Sequence, residues 1–546
     1  MPEKYLEQPV SRRSMLRLMG GGAGAAVLGG GAVSLLSACG SSSGGGSGGS
    51  GQLAVGLFAE PDSLDPATMK LIPSYQVTSS IYDQLLWKVA GQAADDFIPG
   101  LATSYSVSAD GKTYTFKLRK GVTFHDGTPF NAAAVKATFD RIVAPATKSV
   151  SAKAVLGPYQ SSTVVDDYTV QVSFSSVNGG FLNNVASPLL AIVSPTAAKS
   201  EGSSFDRHPV GSGPFKFGSW IAGQSISLVP NEKYTWGPDV PGLKGPAKLS
   251  GVTYRIVTSS PSQANALQTG ALQVAQGMDI PDVVRLTNAG FKQKVVGAAG
   301  MPFGFMLNVK KAPTNDIRVR EAIQYATNAP AINSTVFSNV YKQANTVLTS
   351  ETSGYSDRVS FTYQPDRAAS LLDQAGWTAG AGGMRSKDGQ ALELSWLLST
   401  GFGFQDAAQL MAAQLQKVGI ASQITQQASP EVFENIEKGI MNVSSIYDYA
   451  ADPYILNTLF SCAQVGDGPN YAHFCSPHID AQIAAANTTV DTAARAAAYE
   501  QIENELMQQA MFVPIYELAA VFVTGKSVSG IVYTPLAIPL LTGATV

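Results

Sequence analysis

The stretch ALELSWLLSTGFGFQDAAQLMAAQLQKVGIASQITQ, Ala391 to Gln426, constrains the fold more than any other part of the chain. Ala391 to Thr400 is short, apolar and strand-like, and Met411, Leu415 and Val418 then recur at helical spacing within Gln405 to Val418. Gly419 is placed to stop that helix, and Ile420 to Gln426 returns to a strand. A strand, a helix and a strand in this order predict a parallel pair joined by a right-handed crossover, and therefore an α/β fold. Ligands of open α/β sheets sit beyond the carboxyl ends of such strands, which selects Thr400, Gly401 and Phe402 as candidate binding residues. The same argument applied to MNVSSI (Met441 to Ile446) selects Tyr447, Asp448 and Tyr449. Applied to the strand that opens QLAVGLFAEPDSLDPA (Gln52 to Ala67), it selects Phe58, although a core aromatic would look the same.

Elsewhere the chain alternates between strand and helix signals. Tyr105 to Phe130 alternates apolar and polar residues on either side of Asp110-Gly111, the pattern of a β-hairpin with a tight turn. Asn131 stands as N-cap before a helix carrying Val135, Phe139 and Ile142 on one face. A further amphipathic helix, Thr492 to Ala510, turns Tyr499, Ile502 and Leu506 inward. With 546 residues the chain is too long for one ordinary core, so at least two domains or lobes are expected.

The first fifty residues read differently. Paired Arg12 and Arg13 in SRRSMLRLMG (Ser11 to Gly20) precede a Gly/Ala/Val/Leu run without charge, the layout of an export signal. The arginine pair fits a twin-arginine signal, with Met15 where phenylalanine is more usual; the general secretory route is the alternative. Leu36-Ser37-Ala38-Cys39 resembles the lipobox of bacterial lipoproteins, in which the cysteine thiol is acylated. The residues behind it, 40 to 51, are serine and glycine only, a flexible tether. A membrane-spanning anchor over Leu18 to Ala38 is long enough, at about 20 apolar residues, but its middle is dominated by glycine.

Charge and cysteine content narrow the function. The formal net charge is -3, and the leading segment is itself net positive, so the chain beyond Ala38 is more acidic still and offers no footing for nucleic acid. Once Cys39 is acylated, Cys462 and Cys475 remain as a pair in an exported protein, where a disulfide is favoured over two buried thiols. His473, Cys475 and His478 are the only clustered metal-type ligands, and no metal or cofactor is expected. Gly45-Gly46-Ser47-Gly48-Gly49 and Gly46 to Gly51 satisfy a hydrolase and a dinucleotide pattern by accident, inside the tether and without strand or helix around them. With no HExxH and no Walker loop elsewhere, the chain does not read as an enzyme.

Ile81 to Ile142 carries the strongest identity signal. Leu101-Ala102, the hairpin before Leu118-Arg119, and Gly121-Val122-x-Phe124-His125-Asp126-Gly127 resemble, in order and spacing, the signature of the bacterial extracellular solute-binding proteins of family 5, receptors of ABC importers for oligopeptides, dipeptides and nickel. The likeness continues through Val210 to Trp220, Asn315 to Asn328 and Gly466 to Ile483. It implies a two-lobed, periplasmic-binding-protein-like α/β fold of type II, with an extra subdomain in the larger lobe. By matching motifs, residues 1–38 are the export signal, 39–51 the lipidated cysteine and tether, 52–85 with 208–305 and 523–546 lobe I, 86–207 its subdomain, and 306–522 lobe II. The chain is expected to cross between lobes near Met301 to Val309 and Val521 to Gly525.

The resemblance also implies a job. Such a protein, exported and lipid-anchored to the outer face of the cytoplasmic membrane, captures a solute between its lobes as a monomer and presents it to an ABC permease and ATPase complex. A short peptide is the expected cargo; a nickel complex, a sugar or an amphiphile, or peptide sensing without a permease, are the alternatives. In peptide-binding relatives an aspartate in a stretch resembling Trp-x-Ala-Asp-Tyr-x-Asp-Pro receives the peptide amino terminus. Here Asp448-Tyr449 matches, with one extra residue before Asp452-Pro453; a helix cap or a solvated loop acid is the competing role for Asp448, and Asp452 reads as a turn residue or cap. Dipeptide receptors use an arginine after the strand equivalent to Ala391 to Thr400, and Ser399 to Asp406 has no cation, which argues against strict dipeptide selectivity.

The N-terminus alone carries one prediction. Replacing Cys39 with serine releases the protein from the membrane fraction; retention as firm as the parent's would make the apolar segment the anchor instead.

Overall fold

The computed structural model describes residues 51–546 apart from 93–95, 400–402, 428 and 467. The export segment, Cys39 and its tether, and the candidates Thr400, Gly401 and Phe402 lie outside the described residues.

Two large sheets organise the chain. The first has seven strands in the order Lys292–Gly297, Ala519–Thr524, Val274–Gln276, Gln52–Leu57, Gly251–Ile256, Ser225–Pro230 and Phe215–Ile221. Gln52–Leu57 runs parallel to both of its neighbours, and its Leu53, Val55 and Leu57 alternate into the core. The second has five strands in the order Ala421–Gln427, Glu393–Ser399, Val443–Tyr449, Gly300–Leu307 and Phe512–Tyr516. The β-α-β unit expected from the sequence lies here: Glu393–Ser399 and Ala421–Gln427 pair in parallel on either side of the helix Phe404–Gln416. Met411, Leu415 and Val418 are buried against the sheet.

A smaller antiparallel sheet, Ala102–Val107, Thr113–Leu118, Thr169–Phe174 and Tyr159–Asp166, contains the expected hairpin about Asp110-Gly111. The helix Ala132–Val143 covers it, and Asn131 caps that helix by accepting the Ala134 N–H at 3.1 Å. Phe116, Phe139, Phe174 and Phe181 interlock edge to face beneath it.

The chain passes between the large sheets twice, from Gly297 to Gly300 and from Tyr516 to Ala519, in each case shortly before the stretch where motif matching places the crossing. One strand end differs from expectation. The strand read as ending at Ile446 runs on to Tyr449, because Tyr449 and Asp448 still pair with Gly300 and Met301. Tyr447, Asp448 and Tyr449 are therefore the last residues of a strand and not a loop beyond it.

Asp452 is more than the turn residue the sequence suggests. Its Oδ1 does accept the Tyr454 N–H at 2.9 Å, but the whole carboxylate is buried and gripped by Arg495 from both nitrogens, at 2.9 and 2.6 Å. Asn183, beneath the smaller sheet, donates to the same carboxylate at 3.0 Å, so this ion pair ties that sheet's unit to the helix Thr492–Gln508. Burial alone would raise the Asp452 carboxyl, but the Arg495 charge and the bonds from Arg495, Tyr454 and Asn183 outweigh it and hold it below the usual aspartate range.

Removing one member of a buried ion pair costs on the order of 3–5 kcal/mol, and Arg495→Met is expected to lower stability by that amount near neutral pH. A depressed carboxyl stabilises above its unfolded value and loses that contribution as pH falls through its folded value. The gap between parent and Arg495→Met should accordingly narrow in acid, as protonation of Asp452 removes the unpaired charge. Urea denaturation of both proteins across pH measures this; a gap that does not change with pH would assign the loss to packing of the arginine stem.

Candidate functional site

Strand direction builds the site. Ala421–Gln427, Glu393–Ser399 and Val443–Tyr449 are parallel, and Val443–Tyr449 and Phe512–Tyr516 both run antiparallel to Gly300–Leu307 between them. Four carboxyl ends thus share one edge of the five-stranded sheet. The seven-stranded sheet presents the carboxyl ends of Gln52–Leu57 and Val274–Gln276 beside the start of Ala519–Thr524. The cleft lies between these two edges.

Three adjoining chambers make up the cleft. The first, about 330 Å³, is lined by Ser399, Phe404, Phe433, Ser445, Tyr447, Asp448 and Tyr471 among others. The second, about 310 Å³, takes its wall from both sheets: Phe58, Lys70, Gln276 and Ala519 from one side, Phe404, Tyr447, Tyr449 and Tyr516 from the other, with Tyr341. The third, about 430 Å³, continues past Tyr341 and Phe404 to Asp279, Asp406 and Gln426.

Aromatic rings recur along all three chambers. Phe404 stacks on Phe303 at 4.7 Å and meets Tyr447 at 5.7 Å, Tyr341 stacks on Tyr516 at 4.2 Å, and Phe433 faces Tyr471 at 6.3 Å. Tyr471 is delivered by the loop that the Cys462–Cys475 disulfide closes, with a Cα–Cα separation of 4.4 Å. Inside that loop Asn470 is buried and bonds Ser461 O at 2.9 Å and Phe474 O at 2.7 Å, which pins the segment from within. A bridge over 13 residues contributes roughly 3 kcal/mol in the chain-entropy picture.

Asp448 is the one charged residue among the described residues lining the first chamber. No cation and no side-chain donor meets it among the described residues. Its side chain is reached from the cavity yet is enclosed by protein on most sides, and burial pushes its carboxyl up to about 6, opposed only by the Tyr449 N–H. Three phenols feel its charge. Tyr75 is pushed up to about 12, by burial first and then by Asp62 and Asp448; Tyr447 and Tyr471 are raised by burial, with Asp448 adding. The surroundings are those of a carboxylate without a counter-ion in an aromatic chamber, a costly arrangement unless something cationic arrives.

Of the residues selected from the sequence, the structure brings Phe58, Tyr447, Asp448 and Tyr449 to this cleft. Phe58 is held against Gly277, which sits at φ +75° where an added Cβ would approach the ring to 2.8 Å. Sequence reading missed Tyr516, Gln276, Tyr341 and Lys70. The first two stand at carboxyl ends of strands and answer to the rule that selected Tyr447; Tyr341 and Lys70 have no local signal. Among the described residues no group of three or more His, Cys, Asp or Glu could hold a metal ion, and no helix is long and apolar enough to cross a membrane.

Comparison with known proteins agrees with this architecture. The chain is 28% identical over 490 residues to the glutathione-binding protein GsiB of Pectobacterium atrosepticum, covering 87% of this chain and 90% of that one. It superposes on the ABC transporter-associated periplasmic binding protein DppA from Helicobacter pylori, solved with the peptide STSA, with a TM-score of 0.73 and 25% identity over 91% of this chain and 98% of the other. NikA from Brucella suis, solved with Fe(III)-EDTA, gives a TM-score of 0.78 at 24% identity over 90% and 99%, a likeness of fold. Residues 96–467 match the family described as bacterial extracellular solute-binding proteins, family 5. The chain belongs to that family: it is a solute-binding protein with a two-lobed α/β fold, built to take a small solute into the cleft between its two sheets.

Proposed function

We propose that this protein is the substrate-binding lipoprotein of an ABC importer, and that its solute is a short peptide or peptide-like compound whose ammonium group is held by Asp448. The observation that carries this reading is the unpaired Asp448 carboxylate in an aromatic chamber, pushed up to about 6 by burial. An ammonium group supplies the missing counter-ion, and the rings of Phe404, Tyr447 and Tyr471 offer apolar and cation–π surface to the neighbouring part of the solute. The GsiB and DppA relatives, one named for glutathione and one solved with a peptide, favour the same class of solute.

The lobes in this reading are residues 52–85, 208–305 and 523–546 for lobe I with its subdomain at 86–207, and 306–522 for lobe II, with the two sheet crossings, Gly297 to Gly300 and Tyr516 to Ala519, lying a few residues before those bounds and joining the lobes. Closure would be a hinge motion about those two connections that brings the wall bearing Phe58 onto the wall bearing Asp448. Cys39 would hold the protein by lipid at the outer face of the cytoplasmic membrane, with the residues 40–51 as its tether, and the closed form would be passed to the permease.

The test is calorimetry with Asp448→Asn. Loss of one partner from a buried charge pair costs about 3–5 kcal/mol, and each 1.4 kcal/mol is about tenfold in affinity, so binding of a free-amine peptide should weaken at least about a hundredfold. N-acetylated peptide should bind the parent poorly and lose little more on mutation. The pH dependence has a definite sign: an ammonium ligand favours the ionised carboxylate, so affinity for the parent falls as pH drops through about 6, and the mutant lacks that fall. Equal binding of the free amine by parent and mutant would reduce Asp448 to a wall residue.

A further inference from the structure

The two connections between the large sheets, Gly297 to Gly300 and Tyr516 to Ala519, lie far apart in sequence, yet one segment is bonded to both. Thr349 donates its hydroxyl to Ala298 O at 2.8 Å and its N–H to Gly300 O at 2.9 Å, and Gly300 returns its own N–H to Thr352 Oγ1 at 2.8 Å. These bonds hold the first connection. Between the two threonines, Ser350 donates its hydroxyl to Glu517 Oε2 at 2.6 Å; Lys342 pairs with Oε1 of the same carboxylate at 2.9 Å, and its carbonyl accepts the Glu517 N–H at 2.8 Å. Those hold the second. Thr349, Thr352 and Glu517 are all buried, so water does not compete for these bonds.

The segment does not hold itself. Residues 344–356 form neither helix nor strand, and a buried irregular stretch must find partners for its backbone elsewhere. Glu503, fully buried in the helix Thr492–Gln508, supplies them. One carboxylate oxygen accepts the Thr346 hydroxyl at 2.7 Å and the Leu348 N–H at 3.0 Å, and the other accepts the Ser356 N–H. These bonds bracket Thr349 to Thr352 from both ends. Gly354, at φ +81°, brings the segment down on the same helix, where an added Cβ would come within 2.7 Å of Tyr499 Cβ. None of Thr349, Ser350, Thr352 and Glu503 lines a chamber of the cleft, so contact with solute is not their part.

We propose that residues 346–356 act as a strap across the two connections, which makes them bend as one, and that Glu503 is the anchor that keeps the strap in place. This rests on the reading of the two connections as the joints between the lobes. Two joints bending independently would let the lobes twist as well as close, whereas joints bonded to one strap leave a single closing path. The strap also reaches the site. Gly300, which it holds by both N–H and C=O, pairs with Tyr449 and leaves room for Asp448 O only because it has no side chain. The position of Asp448 and the bending of both joints are thereby linked through one residue. Without the strap the binding-competent arrangement becomes a smaller share of the population, and apparent affinity for any solute falls by that share.

The experiment is hydrogen exchange read by mass spectrometry, with small-angle X-ray scattering alongside, on the ligand-free full-length parent and on Thr349→Val, Ser350→Ala and Glu503→Gln. Thr349→Val removes a bond to the first connection only, and Ser350→Ala removes one to the second only. Each is expected to speed exchange at least about fivefold at both connections, including the one it does not touch, while the strand Thr113–Leu118 exchanges as in the parent. Glu503→Gln touches neither connection, but whichever way its amide turns, an NH2 faces the N–H of Leu348 or of Ser356, and it should speed exchange at both. Should that variant fail to fold, the threonine and serine variants decide alone. The radius of gyration should rise in each variant, as the lobes spread over a wider range of openings. Unchanged exchange, or faster exchange confined to the connection that lost its bond, would overturn the strap and leave the joints in place. Equal acceleration at Thr113–Leu118 would mark general loosening and overturn it too. Acceleration at both connections with an unchanged radius of gyration would overturn the reading of the connections as joints and this inference with it.

Discussion

The site depends on one strand, Gly300–Leu307. All eight of its residues are buried, and it lies at the point where the chain first enters the five-stranded sheet, between Val443–Tyr449 and Phe512–Tyr516. Its first residue sits at φ +134°, and an added Cβ there would come within 2.1 Å of the Asp448 carbonyl. Only glycine permits that approach. The same strand supplies Phe303, which stacks on Phe404 and tilts against Tyr516 at 4.9 Å. One buried ribbon therefore sets both the position of the acid and the aromatic wall beside it, and displacing it would move the two together.

This dependence explains what the sequence could and could not reveal. The β-α-β unit was legible because its signals are local: a strand period, a helix period and a glycine stop between Ala391 and Gln426. The hairpin about Asp110-Gly111 and the Asn131 cap were legible for the same reason. Asp448 was legible through the strand-end rule, although the strand itself runs three residues further than its apolar run suggests, since cross-strand pairing to Gly300–Leu307 holds Tyr447 to Tyr449 extended. Arg495 as the partner of Asp452 was not legible. The two are 43 residues apart, and the third member, Asn183, is 269 residues from Asp452 in the other direction. Lys70 likewise reaches the cleft only because Asp62 and Tyr75 hold its backbone there, which no period or motif encodes.

Two aspartates near one another in sequence, the buried Asp452 and the half-buried Asp448, show how environment divides their roles. Asp452 lies deep and satisfied, with Arg495, Asn183 and a backbone N–H around it, and its carboxyl is held low. Asp448 lies in a cavity wall with no cation and has its carboxyl raised. A satisfied carboxylate has no remaining demand for a partner and serves as structure. An unsatisfied one carries its desolvation cost, which in the proposed reading a cationic solute relieves on binding.

Relief of that kind favours a particular order of events on closure. The aromatic rings of the two walls are apolar from the start and gain from contact with almost any solute, so they give affinity without much discrimination. The charged group on the five-stranded sheet behaves differently in the proposed reading, because Asp448 sits in the wall of the cleft without a partner among the described residues. Bringing the walls together around a solute without a cationic group would remove water from its carboxylate and return nothing. A solute bearing an ammonium group in the right place returns that cost when the walls meet. Discrimination is thereby tied to the closed form, which in a delivery protein is the form worth making selective.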